Sequence, residues 1–151
     1  MGERVKFKSN GNEAQGYLAR AAGTGPAIVV IQEWWGLVPH IERIADRFAE
    51  AGFVALAPDL YHGRTTKSPD EAGKLMMSLR IDEAAREIAG AIAWLASQPG
   101  VKGTKVGVSV TNFTPTRTRI TRFSTTRGLR STIRPRPLMP GRRHSRFSVG
   151  N

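Results

Sequence analysis

Glu33 is the side chain of this 151-residue sequence best placed to do chemistry. It stands in Gln32-Glu33-Trp34-Trp35-Gly36, directly after the apolar run Ala27 to Ile31, so a carboxylate is set between a hydrophobic strand and two indoles. An unbroken apolar run rich in β-branched residues reads as a strand buried on both faces, as in the middle of a parallel sheet. Ligands of open α/β sheets bind at the carboxyl ends of such strands, which puts Glu33 at a chemically active edge. The same residue also reads as a solvated loop carboxylate capping the helix that follows. Trp34 and Trp35 invite a ligand-stacking reading, but aromatics near a strand end are more often core, and Trp94 falls within a helical repeat and reads as packing.

Other candidates need partners. Phe53 to Pro58 is a second buried strand, and Asp59-Leu60-Tyr61-His62-Gly63 after it falls on the same edge as Glu33. His62 reads either as a ligand contact or as a polar loop histidine. Ser109 is a weak candidate nucleophile because no histidine base adjoins it in sequence. Beyond the last acid, Glu87, the only histidine is His144, in Gly-Arg-Arg-His-Ser-Arg-Phe, with no carboxylate near it to orient it. The absence of cysteine excludes disulfides, thiolate metal sites and a cysteine nucleophile.

The elements that must hold these residues follow from periodicity and turn chemistry. Arg4 to Ser9 and Ala14 to Leu18 pair as an N-terminal β-hairpin across Asn10-Gly11-Asn12. Pro39 opens a helix with Ile41, Ile44, Ala45 and Phe48 on its apolar face, and Gly52 stops it. Strand, helix, strand with short connections is a right-handed parallel crossover. Ser68 and Glu71 have capping-box spacing for a helix running through Leu79 or beyond. A longer helix, roughly 81–97, carries Ile81, Ala84, Ala85, Ile88, Ile92 and Leu95 on one face, and Gln98-Pro99-Gly100 ends it. Lys105 to Val110 begins a third parallel strand.

Charge divides the chain. The formal net charge of +11 lies almost wholly in residues 109–151, which hold ten arginines and no acid, lysine, alanine or sustained apolar period. Such a segment buries too little apolar surface to offset the ordering cost, so residues 111–151 are expected to be a disordered, Arg-rich tail. Its Arg, Pro, Thr, Ser and Gly content is also what an out-of-frame reading of GC-rich DNA yields. Ten arginines imply strong, salt-dependent, sequence-blind affinity for nucleic acid or acidic surfaces. With no span-length apolar run and a charged start, Met-Gly-Glu-Arg-Val-Lys, the sequence predicts a soluble cytoplasmic protein.

The segments Gln-Glu-Trp-Trp-Gly-Leu (32–37), the helix from Pro39 to Gly52, Phe-Val-Ala-Leu-Ala-Pro-Asp-Leu-Tyr-His-Gly-Arg (53–64) and Val-Gly-Val (106–108) together resemble the dienelactone hydrolase (carboxymethylenebutenolidase) family, over about residues 6–108. The resemblance implies an α/β fold, a partial α/β-hydrolase-type parallel sheet with flanking helices, over residues 1–110. It implies hydrolysis of a small-molecule carboxylic ester or enol-lactone by a Cys, His and Asp triad, with no cofactor and no metal. Glu33 matches the glutamate that helps control the nucleophile's charge state, and the backbone N–H of Trp34 matches an oxyanion-hole donor. Arg64, Arg80 and Arg86 are candidates for the arginines that hold a substrate carboxylate. The family's strand-to-helix elbow, Gly-Phe-Cys-x-Gly-Gly, is replaced: Val110 stands for the first glycine, Asn112 for the cysteine, and Thr114 and Pro115 for the last two glycines. No triad Asp or His is recognisable, so the chain is expected to be inactive. A sheet stopping at its third parallel strand is expected to self-associate through the open edge and an uncovered face.

Overall fold

A computed structural model describes residues 1–110 and 119–124. Six strands form one sheet in the order β1-β2-β4-β3-β5-β6: β1 (Glu3–Ser9), β2 (Asn12–Ala19), β3 (Gly25–Ile31), β4 (Val54–Pro58), β5 (Val101–Val110) and β6 (Arg119–Ser124). The three helices are α1 (Pro39–Glu50), α2 (Pro69–Ser78) and α3 (Ile81–Ala96).

The apolar run of β3 sits where its composition demands, between β4 and β5 and parallel to both, with Ile28, Val29 and Val30 fully buried. β1 and β2 form the expected hairpin, with Asn10 and Gly11 both at positive φ in the turn. β2 then pairs antiparallel with β4, so the sheet is mixed, with β4, β3 and β5 as its parallel centre. Helices cover both faces. α1 lays Ile41 and Ala45 over Ile28, Val30, Ala55 and Ala57; α3 lays Ala91 and Leu95 over Phe7, Val29, Leu56 and Val106. Phe7 and Trp94 stack with centroids 5.1 Å apart, so Trp94 is core packing. Tyr17 on β2 donates its hydroxyl to Asp46 Oδ1 of α1 at 3.0 Å, tying the hairpin to the helix layer.

Four expectations are corrected. Ser68 does precede α2, but its side chain makes no capping bond; Thr66 Oγ1 reaches Glu71 Oε2 at 2.6 Å first, and also accepts from Ser68 N. The helix ends at Ser78, with Leu79 already extended. On α3 the buried line is Ala84, Ala91 and Leu95, leaving Ile81 and Ala85 exposed. Gly90 explains that register, because a Cβ there would lie 2.0 Å from Ser9 Oγ and the helix approaches β1 along its glycine. Finally, the segment expected to be disordered contains β6, antiparallel to β5 from Arg119 opposite Val110 to Ser124 opposite Lys105. That flank of β5 is therefore paired, while α1 covers β2, β3 and β4 on one face and α3 covers β1, β3, β4 and β5 on the other. The rest of the expected tail lies outside the described residues. Among the described residues no helix is long and apolar enough to cross a membrane.

Candidate active site

The carboxyl ends of β3 and β4 are laced together by their following loops. Gln32 is buried, and its Oε1 accepts from Leu60 N at 3.1 Å, one bond from the first loop to the second. Trp35 O accepts from Thr66 N at 3.2 Å. Gly36, at φ +90°, lets the first loop press against the second: a Cβ there would lie 2.5 Å from Arg64 O. Asp59 is 2% exposed and its carboxylate is spent on its own turn, accepting from Tyr61 N at 3.2 Å and Gly63 N at 2.7 Å. It is a fixing group and not a free acid.

Glu33 is half-buried on the first of these loops. Its carbonyl accepts from Gly36 N at 3.1 Å, but its carboxylate has no hydrogen-bond or ion-pair partner among the described residues. It does not cap α1, whose N-cap is Val38, with no side-chain hydrogen bond. The capping alternative is therefore set aside, leaving an uncommitted carboxylate at a strand end. The Trp34 N–H likewise has no acceptor among the described residues. Trp34 is 38% exposed, and its ring packs edge-on against Trp35, with centroids 4.9 Å apart. Trp35 walls a cleft of about 710 Å³ that it shares with Val38, Pro39, Arg43, Thr65 and Lys67.

The remaining sequence candidates go elsewhere. His62 takes a left-handed backbone, φ +52°, and its Nε2 lies 3.7 Å from Glu87 Oε2 on α3. It borders a separate cavity of about 190 Å³ with Ser9, Asn12 and Glu87, away from Glu33. Burial pushes the Glu87 carboxyl above its ordinary value of 4.5; the His62 charge works against that rise and Asp59 adds to it. Arg80 pairs with Asp82 and Glu83, and Arg86 with Asp82, all on the exposed side of α3, so neither is free for a substrate carboxylate. Arg64 is exposed and makes no ion pair among the described residues. Ser109 is 1% exposed within β5, opposite Val30, and its Oγ has no hydrogen-bond partner among the described residues. Asn112 and His144 lie outside the described residues.

Sequence reasoning missed Gln32 as the tether between loops, and Arg43 and Lys67 as cleft residues. The signal for Gln32 was available: a polar residue placed immediately after a two-face-buried strand must find a partner. Arg43 carried none, being one of several charges on the outer side of α1.

The model of the Dienelactone hydrolase family matches residues 14–109. The chain belongs to the dienelactone hydrolase family. Among curated relatives, Protein usf of Aquifex pyrophilus is 41% identical over 115 residues, covering 72% of this chain and 50% of that protein. A carboxymethylenebutenolidase of a Pseudomonas species is 30% identical over 102 residues, 62% of this chain and 42% of that protein. Among solved structures, a dienelactone hydrolase-like promiscuous phosphotriesterase from metagenomic libraries superposes with a TM-score of 0.60 at 26% identity, over 72% of this chain and 47% of that one. The chain thus spans about half the length of the curated relatives it matches.

Proposed function

We propose that this dienelactone hydrolase family chain presents the strand-end half of a site for a carboxylic ester or enol-lactone, and that it does not turn that substrate over. The observation carrying the first part is the pairing of two uncommitted groups on one loop: the Glu33 carboxylate and the Trp34 N–H. An unpaired backbone N–H at such an edge suits the oxyanion that forms when an ester carbonyl is attacked, a contact worth about 10²–10³ in rate where it operates. Glu33 suits the control of a neighbouring nucleophile's charge, since no cation among the described residues already neutralises it.

The second part rests on the residues after β5. Asn112 offers an amide, which is no nucleophile, and Val110, Thr114 and Pro115 deny the tight turn that glycines permit. Ser109 does not substitute, being sealed inside the sheet. Members of a triad act as a unit, so loss of the nucleophile forfeits nearly the whole rate gain, about 10⁶ in a well-studied serine hydrolase. The test is p-nitrophenyl acetate hydrolysis by the purified chain. Background rates are expected; turnover that Glu33→Gln abolishes would overturn the inactivity.

A second reading is favoured by one feature, the confinement of ten arginines and no acid to residues 109–151. Through them the chain binds nucleic acid electrostatically, with affinity falling steeply as salt rises. A gel shift that distinguishes one sequence from another would contradict this charge-driven reading.

A further inference from the structure

The cleft beside Trp35 is bordered by neither Glu33 nor Trp34, and its lining has a chemistry of its own. At about 710 Å³ it falls within the size range of ligand clefts. Trp35 gives it a flat apolar wall that is already fixed: the ring packs against Trp34 and the backbone is bonded to Thr66. Val38 and Pro39 extend the apolar surface. Arg43 and Lys67 border the same space, and neither has an ion-pair partner among the described residues. The carboxylate on the lining, Glu71, takes the Thr66 hydroxyl at 2.6 Å and leaves both cations uncompensated at contact distance. The formal charges of Arg43, Lys67 and Glu71 on the lining sum to +1.

We propose that this cleft binds a planar aromatic monocarboxylate, with its ring on Trp35 and its carboxylate between Arg43 and Lys67. An aromatic face meets an indole favourably in offset or edge geometry, and a guanidinium matches a carboxylate with two parallel hydrogen bonds. The charge balance selects a monoanion over a dianion such as a phosphate monoester. Binding here needs no nucleophile and no turnover, so it stands whether or not the ester reading does.

Isothermal titration of the full chain with sodium 1-naphthoate tests it, using the double variant Arg43→Gln, Lys67→Gln. Both side chains are exposed, so the fold is retained and circular dichroism checks that it is. The arginines of residues 109–151 are common to both proteins, so the difference isolates the cleft. The double variant is expected to bind 1-naphthoate at least tenfold more weakly. Neutral 1-naphthamide is expected to bind both proteins equally and at least tenfold more weakly than naphthoate binds the parent. Unchanged naphthoate affinity in the variant, or equal affinity of the parent for the amide, overturns the site. A tenfold preference for 1-naphthyl phosphate overturns the monoanion assignment.

Discussion

Replacing Gly36 by alanine separates two costs that the structure predicts independently. Its φ of +90° lies in a region that costs a residue with a Cβ about 1–2 kcal/mol. The new methyl also meets Arg64 O at 2.5 Å and Thr65 Cγ2 at 3.2 Å. The carbonyl is backbone, and its loop is held on both sides, by Gly63 N on Asp59 and by Thr66 N on Trp35 O. It cannot swing away cheaply, so overpacking adds roughly 1–3 kcal/mol. Gly63→Ala is the matched control: its φ is +86°, but nothing lies within 4 Å of the added Cβ. Urea unfolding by far-ultraviolet circular dichroism should therefore show Gly63→Ala losing about 1–2 kcal/mol and Gly36→Ala roughly 2–5. Equal losses would refute the claim that the β3 and β4 loops are in hard contact, and a neutral Gly36→Ala would refute the backbone argument as well.

Leu95→Ala removes a fully buried side chain from the cluster of Phe7, Leu56 and Val106 and is expected to cost roughly 2–5 kcal/mol in the same assay; a loss below about 1 would mean that α3 is not anchored there. Glu87 holds its proton to a higher pH in the fold than in the unfolded chain, because burial outweighs the nearby His62 charge. Its contribution is most favourable below 4.5 and is lost as pH rises through the folded value, with Asp59 and the cavity neighbours Glu13, Glu83 and Arg86 modulating that fall. Glu87→Gln cannot ionise, so the Tm of the variant should gain on the parent as pH is raised from about 4 to 7, and parallel Tm curves would refute this. Asn112→Cys alone is expected to leave p-nitrophenyl acetate hydrolysis at background, since Val110, Thr114 and Pro115 still block the turn; turnover above background would locate the defect in the nucleophile alone.

Local chemistry made the centre of this molecule legible and non-local contacts hid its margins. β3 announced itself as a doubly buried strand because five apolar residues in a row have no other stable place in a small α/β domain. Glu33 stood out because a carboxylate ended that run. The capping box failed because Thr66, two residues upstream of Ser68, competes for the same glutamate, a choice made by loop geometry that spacing does not encode. The buried line of α3 was misread because the helix meets β1 through Gly90, and an absent side chain leaves no mark in an apolar pattern. β6 was invisible for a related reason: Arg-Ile-Thr-Arg-Phe-Ser has no clean alternation, and what makes it a strand is the unpaired flank of β5.

The strand order also works as a timetable. During synthesis, Leu18 can meet Leu56, and Ile28 can meet Ala55, as soon as the chain has emerged through β4, so the hairpin, β4, β3 and α1 close first over short loops. Val29 must wait for Val108, and meanwhile the most apolar strand of the protein keeps one flank unpaired. Whatever follows β3 out of the ribosome therefore decides whether that flank receives β5 or another molecule. In a chain whose departure from its family begins just where β5 ends, the long wait before β5 is the stage at which a chaperone would have most to do.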